Sequence, residues 1–263
     1  MNNSPIGVFD SGAGGLSVFS RLIKLLPEEN YIYFADNANL PYGSKTPEEL
    51  IKLSRRIFDF FKSKKAKAVV MACNTTSAIV YDYFKSQYNF QIYPLVQSVS
   101  KYIAQNFYSK IGVFATEAVI NAHAYKRFIN EYNPDIKIYE TACPEWVSIV
   151  ENKMQHDTCS LENIKKILDA MLENRPEKII LGCTHYPFLL EVLSKYAPCD
   201  MFIDPACRFA QVIAEDLKSK NLLNKDRFSP PVFYTSGEPE KFKRASELFY
   251  KVSSAEQIML AAC

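Results

Sequence analysis

The chain has 263 residues, 48% of them apolar and 23% charged, which fits a globular protein of two modest domains or one large one. Its net charge is +2. The densest basic stretch, Lys62, Lys64, Lys65 and Lys67, falls at a predicted helix end, so nothing argues for nucleic acid as the main partner.

Read in chain order, short β-rich runs alternate with amphipathic helices, the pattern of an α/β fold with mainly parallel sheets. Residues 6–9 are the first strand. A helix follows over 16–26, with Leu16, Phe19, Leu22, Ile23 and Leu26 on one face and Pro27 ending it. The second strand spans 31–35. Thr46-Pro47-Glu48-Glu49 then reads as a helix start, with Thr46 as N-cap, Pro47 in the first turn and Glu49 completing a capping box; this helix runs to about residue 61. A third strand covers 68–72 and a helix 76–84. The second half continues with a strand at 111–114, a helix at 118–130, a strand at 136–139, a helix at 161–172 and a strand at 178–181. After Asp204 come a long helix, a strand at 232–235 and a helix from Pro239.

The chain contains an echo of itself. Ile6-Gly7-Val8-Phe9 recurs as Ile111-Gly112-Val113-Phe114, an offset of 111 − 6 = 105. Tyr31-Ile32-Tyr33 is echoed by Lys137-Ile138-Tyr139 (137 − 31 = 106), and Val69 to Cys73 by Ile179 to Cys183 (183 − 73 = 110). Three matched runs in one order indicate two related half-domains. The final helix, strand and helix have no counterpart in the second half. The expected domains are therefore 1–97 plus 209–263, with 98–208 inserted.

Each half carries a cysteine just after its third strand, where open α/β sheets bind ligands. Cys73-Asn74-Thr75 leads into a helix, whose first N–H groups attract anions and favour a thiolate. Cys183-Thr184-His185 has the same expected placement. One cysteine at a strand end is an ordinary small core residue. Two at matched places, each followed by amide or hydroxyl donors, point to chemistry. His185 can tune its neighbouring thiol or move a proton.

Asp10-Ser11-Gly12-Ala13-Gly14-Gly15 is not GxGxxG, and its glycines read as a tight strand-to-helix turn. Asp10 goes beyond a turn, because a carboxylate there can hold an ammonium group or relay a proton. The loop Asp36 to Gly43 reads equally as a ligand loop or a plain turn. His123, His156, Cys143, Cys159, Cys199, Cys207 and Cys263 carry no motif and are read as packing or surface residues. There is no zinc spacing, and seven cysteines make an incomplete disulfide framework. With no apolar run of membrane-spanning length and no signal peptide in view, reduced thiols in the cytoplasm are expected.

Four segments together resemble glutamate racemases, of the cofactor-independent aspartate/glutamate racemase family. They are Asp-Ser-Gly-Ala-Gly-Gly-Leu-Ser at 10–17, Pro-Tyr-Gly at 41–43, Ala-Cys-Asn-Thr-Thr-Ser-Ala at 72–78 and Gly-Cys-Thr-His-Tyr-Pro at 182–187. The resemblance implies two pseudo-symmetric α/β domains with the active site in the cleft between them. It implies interconversion of L- and D-glutamate without a cofactor or metal, supplying D-glutamate for peptidoglycan, and a homodimer. Cys73 and Cys183 would be the two acid/bases, with Cys73 serving the D-isomer and Cys183 the L-isomer. Asp10 and His185 would assist the thiols. Substrate contacts would fall on Asp10, Ser11, Tyr42, Gly43, Asn74, Thr75, Thr184 and His185, and less distinctly on Asp36, Thr116 and Glu151. The competing readings are a racemase of aspartate, a two-domain amino-acid binding protein and a nucleotide-dependent enzyme. Paired cysteines speak against the second, and the missing GxGxxG or P-loop lysine against the third.

Overall fold

The structure, a computed structural model, describes residues 4–225 and 229–260; Cys263 lies outside them. The chain divides into two compact units, Met1–Leu95 with Ala206–Cys263, and Val96–Pro205. Each unit has its own parallel sheet.

The first sheet holds β1 (Ile6–Asp10), β2 (Tyr31–Ala35), β3 (Ala68–Met71) and β4 (Gln91–Pro94). The second holds β5 (Lys110–Ala115), β6 (Lys137–Ala142), β7 (Lys178–Gly182) and β8 (Phe202–Ile203). β9 (Val232–Thr235) and β10 (Glu256–Gln257) return to the first sheet, where β9 pairs with β2. The orders are β10-β9-β2-β1-β3-β4 and β6-β5-β7-β8.

β1, β2 and β3 are buried throughout, as expected of parallel strands covered on both faces. On one face Phe9 meets Phe58 edge-on at 5.6 Å and Phe34 meets Phe60 at 5.3 Å. On the other, Tyr33 stacks on Phe242 at 6.0 Å and Phe19 stands edge-on to Tyr31 at 5.4 Å. Helix α1 (Leu16–Leu25) contributes Phe19 to this layer, and α2 (Pro47–Ser63) contributes Phe58 and Phe60 to the opposite one. The capping box of α2 is formed: the Glu49 N–H donates to Thr46 Oγ1, and Glu49 Oε2 accepts from the Thr46 N–H at 2.8 Å.

Three local readings change. Helix α3 (Asn74–Phe84) starts two residues before the expected position, directly after Cys73. The expected helix over 118–130 is two pieces, Glu117–Asn121 and Ala124–Asn130. They part at His123, which adopts the left-handed conformation (φ 46°) that histidine tolerates better than most residues. The glycines after β1 do not serve a left-handed turn, since no described glycine has positive φ. Gly15 is required by space instead. A Cβ there would stand 2.5 Å from Asp10 Cβ, 2.8 Å from the Tyr33 hydroxyl and 3.0 Å from Ala72 Cβ.

The inner strand orders coincide, β2-β1-β3-β4 against β6-β5-β7-β8, so the repeat is one of topology as well as sequence. The ladders fix its register. Ile6 pairs with Tyr31 and Ile111 with Ile138, which matches Tyr31 to Ile138, an offset of 138 − 31 = 107. The sequence echo at β6 was thus one residue out, because alternating Ile and Tyr look alike in either register. Ile6 pairs with Ala68 and Ile111 with Lys178, an offset of 178 − 68 = 110, which sets Cys73 against Cys183. In the same frame Ser11 corresponds to Thr116 and Asp36 to Cys143.

Candidate active site

In the first unit the carboxyl ends of β1, β2 and β3 deliver Asp10, Asp36 and Cys73 to one sheet edge. Asp10 is fully buried and its Oδ2 accepts the Gly12 N–H at 2.9 Å. This bond folds the chain after β1 so that Ser11 faces Cys73, with Sγ and Oγ 3.9 Å apart. Cys73 is the N-cap of α3, and Asn74, Thr75 and Thr76 form its buried first turn. The N–H groups of that turn carry the positive end of the helix dipole.

Tyr33 is a residue that sequence reasoning missed. It looked like a core aromatic, yet its hydroxyl donates to the Gly12 carbonyl at 2.8 Å and so braces the Asp10 turn. Burial, then the nearby Asp10 and Cys73 charges, push its pKa well up, which keeps it a donor.

Tyr42 is buried and donates its hydroxyl to Asp36 Oδ2. Asn39 Nδ2 donates to both Asp36 oxygens, at 2.9 and 3.1 Å. Asp36 therefore organises the 37–43 loop. Burial first, then Asp36, raises the Tyr42 pKa.

In the second unit Cys183, Thr184 and His185 follow β7 and are all buried. His185 Nδ1 lies 3.8 Å from Cys183 Sγ, and Nε2 lies 3.1 Å from Glu151 Oε1. Burial alone lowers an imidazole pKa, but the contacts with Cys183 and Glu151 outweigh it and raise that of His185 to about 10. At neutral pH it is an imidazolium between two acidic groups. Glu151 was only a weak candidate in the sequence, for it lies 34 residues away and no motif marks it.

The two cysteines are not placed alike. Cys183 leads into a four-residue 3₁₀ turn, Tyr186–Leu189, rather than an eleven-residue helix. Behind it, Tyr186 donates to the Cys143 carbonyl at 2.7 Å, and Trp146 stands edge-on to Tyr186 at 5.2 Å. Burial pushes the Cys143 thiol up, so it stays neutral. Thr116 is the N-cap of the helix after β5.

The side chains read as unrelated to chemistry divide between interior and surface. Cys143 is buried, while Cys159, Cys199 and Cys207 are exposed. His123 binds Glu140 at 2.7 Å with its own ring largely in solvent. Among the described residues, no group of three or more His, Cys, Asp and Glu is placed to hold a metal ion, and no helix is long and apolar enough to cross a membrane.

Comparison with known proteins gives one result throughout. The model of the Asp/Glu/Hydantoin racemase family matches residues 6–210. Glutamate racemase 2 of Caldanaerobacter subterraneus subsp. tengcongensis is 38% identical over 253 residues, covering 94% of each chain. The crystal structure of glutamate racemase from Francisella tularensis in complex with D-glutamate superposes with a TM-score of 0.93 at 32% identity, covering 100% of both chains. An aspartate racemase from Picrophilus torridus shares the fold more distantly, with a TM-score of 0.58 at 16% identity over 92% of this chain and 99% of its own.

Proposed function

This chain belongs to the Asp/Glu/hydantoin racemase family, and from that premise we propose that it interconverts L- and D-glutamate by proton exchange at Cα between two cysteines. The observation that carries the two-thiol reading is the ladder match of Cys73 to Cys183 across two sheets of one strand order. Glutamate rather than aspartate is favoured because the glutamate racemases match at 38% and 32% identity and the aspartate racemase at 16%.

In this mechanism one cysteine is a thiolate and the other a thiol. The thiolate takes the α-proton, and the opposite thiol donates its own to the other face of the carbon. Cys73 serves the D-isomer and Cys183 the L-isomer. The helix N-terminus at Cys73 and the imidazolium of His185 at Cys183 each offset a thiolate's negative charge. Glu151 positions that imidazolium. Ser11, Asn74, Thr75 and Thr184 supply donors for the substrate carboxylates, where charge accumulates as the proton leaves. Asp10 meets the ammonium group and assists Cys73. Tyr42 and Gly43 complete the contacts from the loop that Asp36 holds. No added cofactor takes part. The product would supply D-glutamate to peptidoglycan synthesis in the cytoplasm, and the chain would act as a homodimer.

The test is incubation of the purified protein with L-glutamate in D2O. Optical rotation should decay to zero while deuterium enters Cα, with L-aspartate unchanged. Cys73→Ser and Cys183→Ser should each lower turnover by at least about a thousandfold, as for other removed acid/base groups. Near-normal turnover in either variant would sink the two-thiol mechanism.

A further inference from the structure

On the α2 flank of the first unit, beside Asp36, lies a cavity of about 170 Å³. Leu53, Arg56 and Ile57, one face of α2, form one wall, and Asp36, Asn39 and Ser236 line another. Arg56 Nε is buried in the protein and has no acceptor among the described residues. A buried guanidinium N–H without an acceptor is unfavourable, so the position calls for a negative or carbonyl oxygen.

Asp36 presents the complementary demand. Its two oxygens offer about four acceptor positions. Three are used, by Asn39 twice and Tyr42 once. Opposite charges thus line one space, and neither answers the other directly. The space is small. At about 30 Å³ for a water-sized group, it holds roughly six non-hydrogen atoms. A lone anion would be repelled by Asp36, and a lone cation by Arg56. A molecule carrying both charges meets neither objection, and Leu53 and Ile57 offer apolar surface for the rest of it.

We propose that this cavity binds a small zwitterionic α-amino acid with a short apolar side chain, alanine being the size that fits. Its carboxylate accepts from Arg56 Nε–H, its ammonium group donates to Asp36, and its methyl group lies against Leu53 and Ile57. Asp36 also holds the Tyr42 hydroxyl, so occupancy acts on the 37–43 loop. That coupling, unlike the binding itself, rests on Tyr42 contacting glutamate in the proposed racemase.

Equilibrium dialysis with radiolabelled L-alanine, and separately D-alanine, reads binding directly, in the presence of saturating D-glutamate. One equivalent of at least one enantiomer should be retained. Arg56→Gln should weaken retention at least about tenfold, and Leu53→Phe, which fills the cavity, should abolish it, both with wild-type circular dichroism and basal racemisation. Failure of the wild-type protein to retain either enantiomer, displacement by glutamate, equal retention by folded Arg56→Gln, or competition by acetate as strong as by alanine overturns the proposal. In a parallel rate assay, alanine should shift the KM for glutamate at least about twofold in wild type and leave Arg56→Gln unaffected. Binding without that shift overturns the coupling alone. A protein that retains alanine yet does not racemise glutamate would discredit the proposed function and leave this site standing.

Discussion

Glu151→Gln tests the electrostatics at Cys183. His185 is 4% exposed, so burial pulls its pKa below the ordinary 6.5, and the contacts with Cys183 and Glu151 bring it to about 10. The net rise is 10 − 6.5 = 3.5, of which Cys183 supplies the larger part. The Glu151 side chain is 37% exposed, so water screens its share. Its removal should lower the His185 pKa by about one unit, or about 1.4 kcal/mol. The raised imidazolium contributes stability that is fully present below pH 6.5 and lost as pH rises through 10. The share due to Glu151 is therefore constant between about pH 6 and 8, where the carboxylate is ionised, and disappears between about pH 9 and 10. Carbon-13 NMR of the His185 ring gives both pKa values, and urea unfolding at pH 6, 8 and 10.5 gives the stability difference. L- and D-glutamate have equal free energy, so kcat/KM must fall by one factor in both directions. A wild-type His185 that titrates below 6.5, or a stability difference that grows above pH 10, would refute the reasoning.

Lys67→Met removes an ammonium that pairs with the Glu29 carboxylate at 2.6 Å and donates to Asn224 Oδ1 at 2.8 Å and the Leu222 carbonyl at 2.6 Å. It leaves the Glu29 carboxylate, 2% exposed, without its cation and should cost about 3–5 kcal/mol by urea unfolding, with most of it regained in Lys67→Met/Glu29→Leu. If the single change costs no more than the double, the pair is not the clamp described. Gly15→Ala should destabilise and slow turnover, because Gly15 is the N-cap of α1, where alanine is disfavoured relative to glycine, and because the new methyl displaces Asp10 and Ala72. Unchanged melting and turnover in that variant would refute the space argument.

What could be read from the sequence depended on whether the signal was local. Fully buried parallel strands give unbroken apolar runs, and α2 announces itself through Thr46 and Glu49. β4 and β8 went unseen because Gln91–Pro94 and Phe202–Ile203 are too short to show a period and owe their conformation to neighbouring strands. Residues 118–130 kept helical spacing across a break made by one backbone angle at His123, which periodicity does not report. At the site, residues inside motifs were visible: Asp10, Ser11, Cys73, Cys183 and His185. Tyr33 was not, and Glu151 was only a weak candidate, since their significance is a contact 21 and 34 residues away in sequence. Tyr33 also had a sufficient alternative explanation as a core aromatic.

The duplication supplies a common frame and different chemistry within it. Where β1 ends in Asp10, β5 ends in Ala115, and where Asp36 follows β2, Cys143 follows β6. Cys73 has a long helix N-terminus with the Ser11 hydroxyl beside it, whereas Cys183 has an imidazolium and only a short turn. A racemase of the proposed kind does not require equal supports. It requires each cysteine to pass between thiol and thiolate once per turnover. If the two supports differ by about 1.4 kcal/mol, one protonation form of the free enzyme exceeds the other about tenfold. Equal kcat/KM in the two directions then demands that the scarcer form react about tenfold faster with its own enantiomer. The inequality of the two sites should therefore appear in the separate kcat and KM values for L- and D-glutamate, while their quotients remain the same.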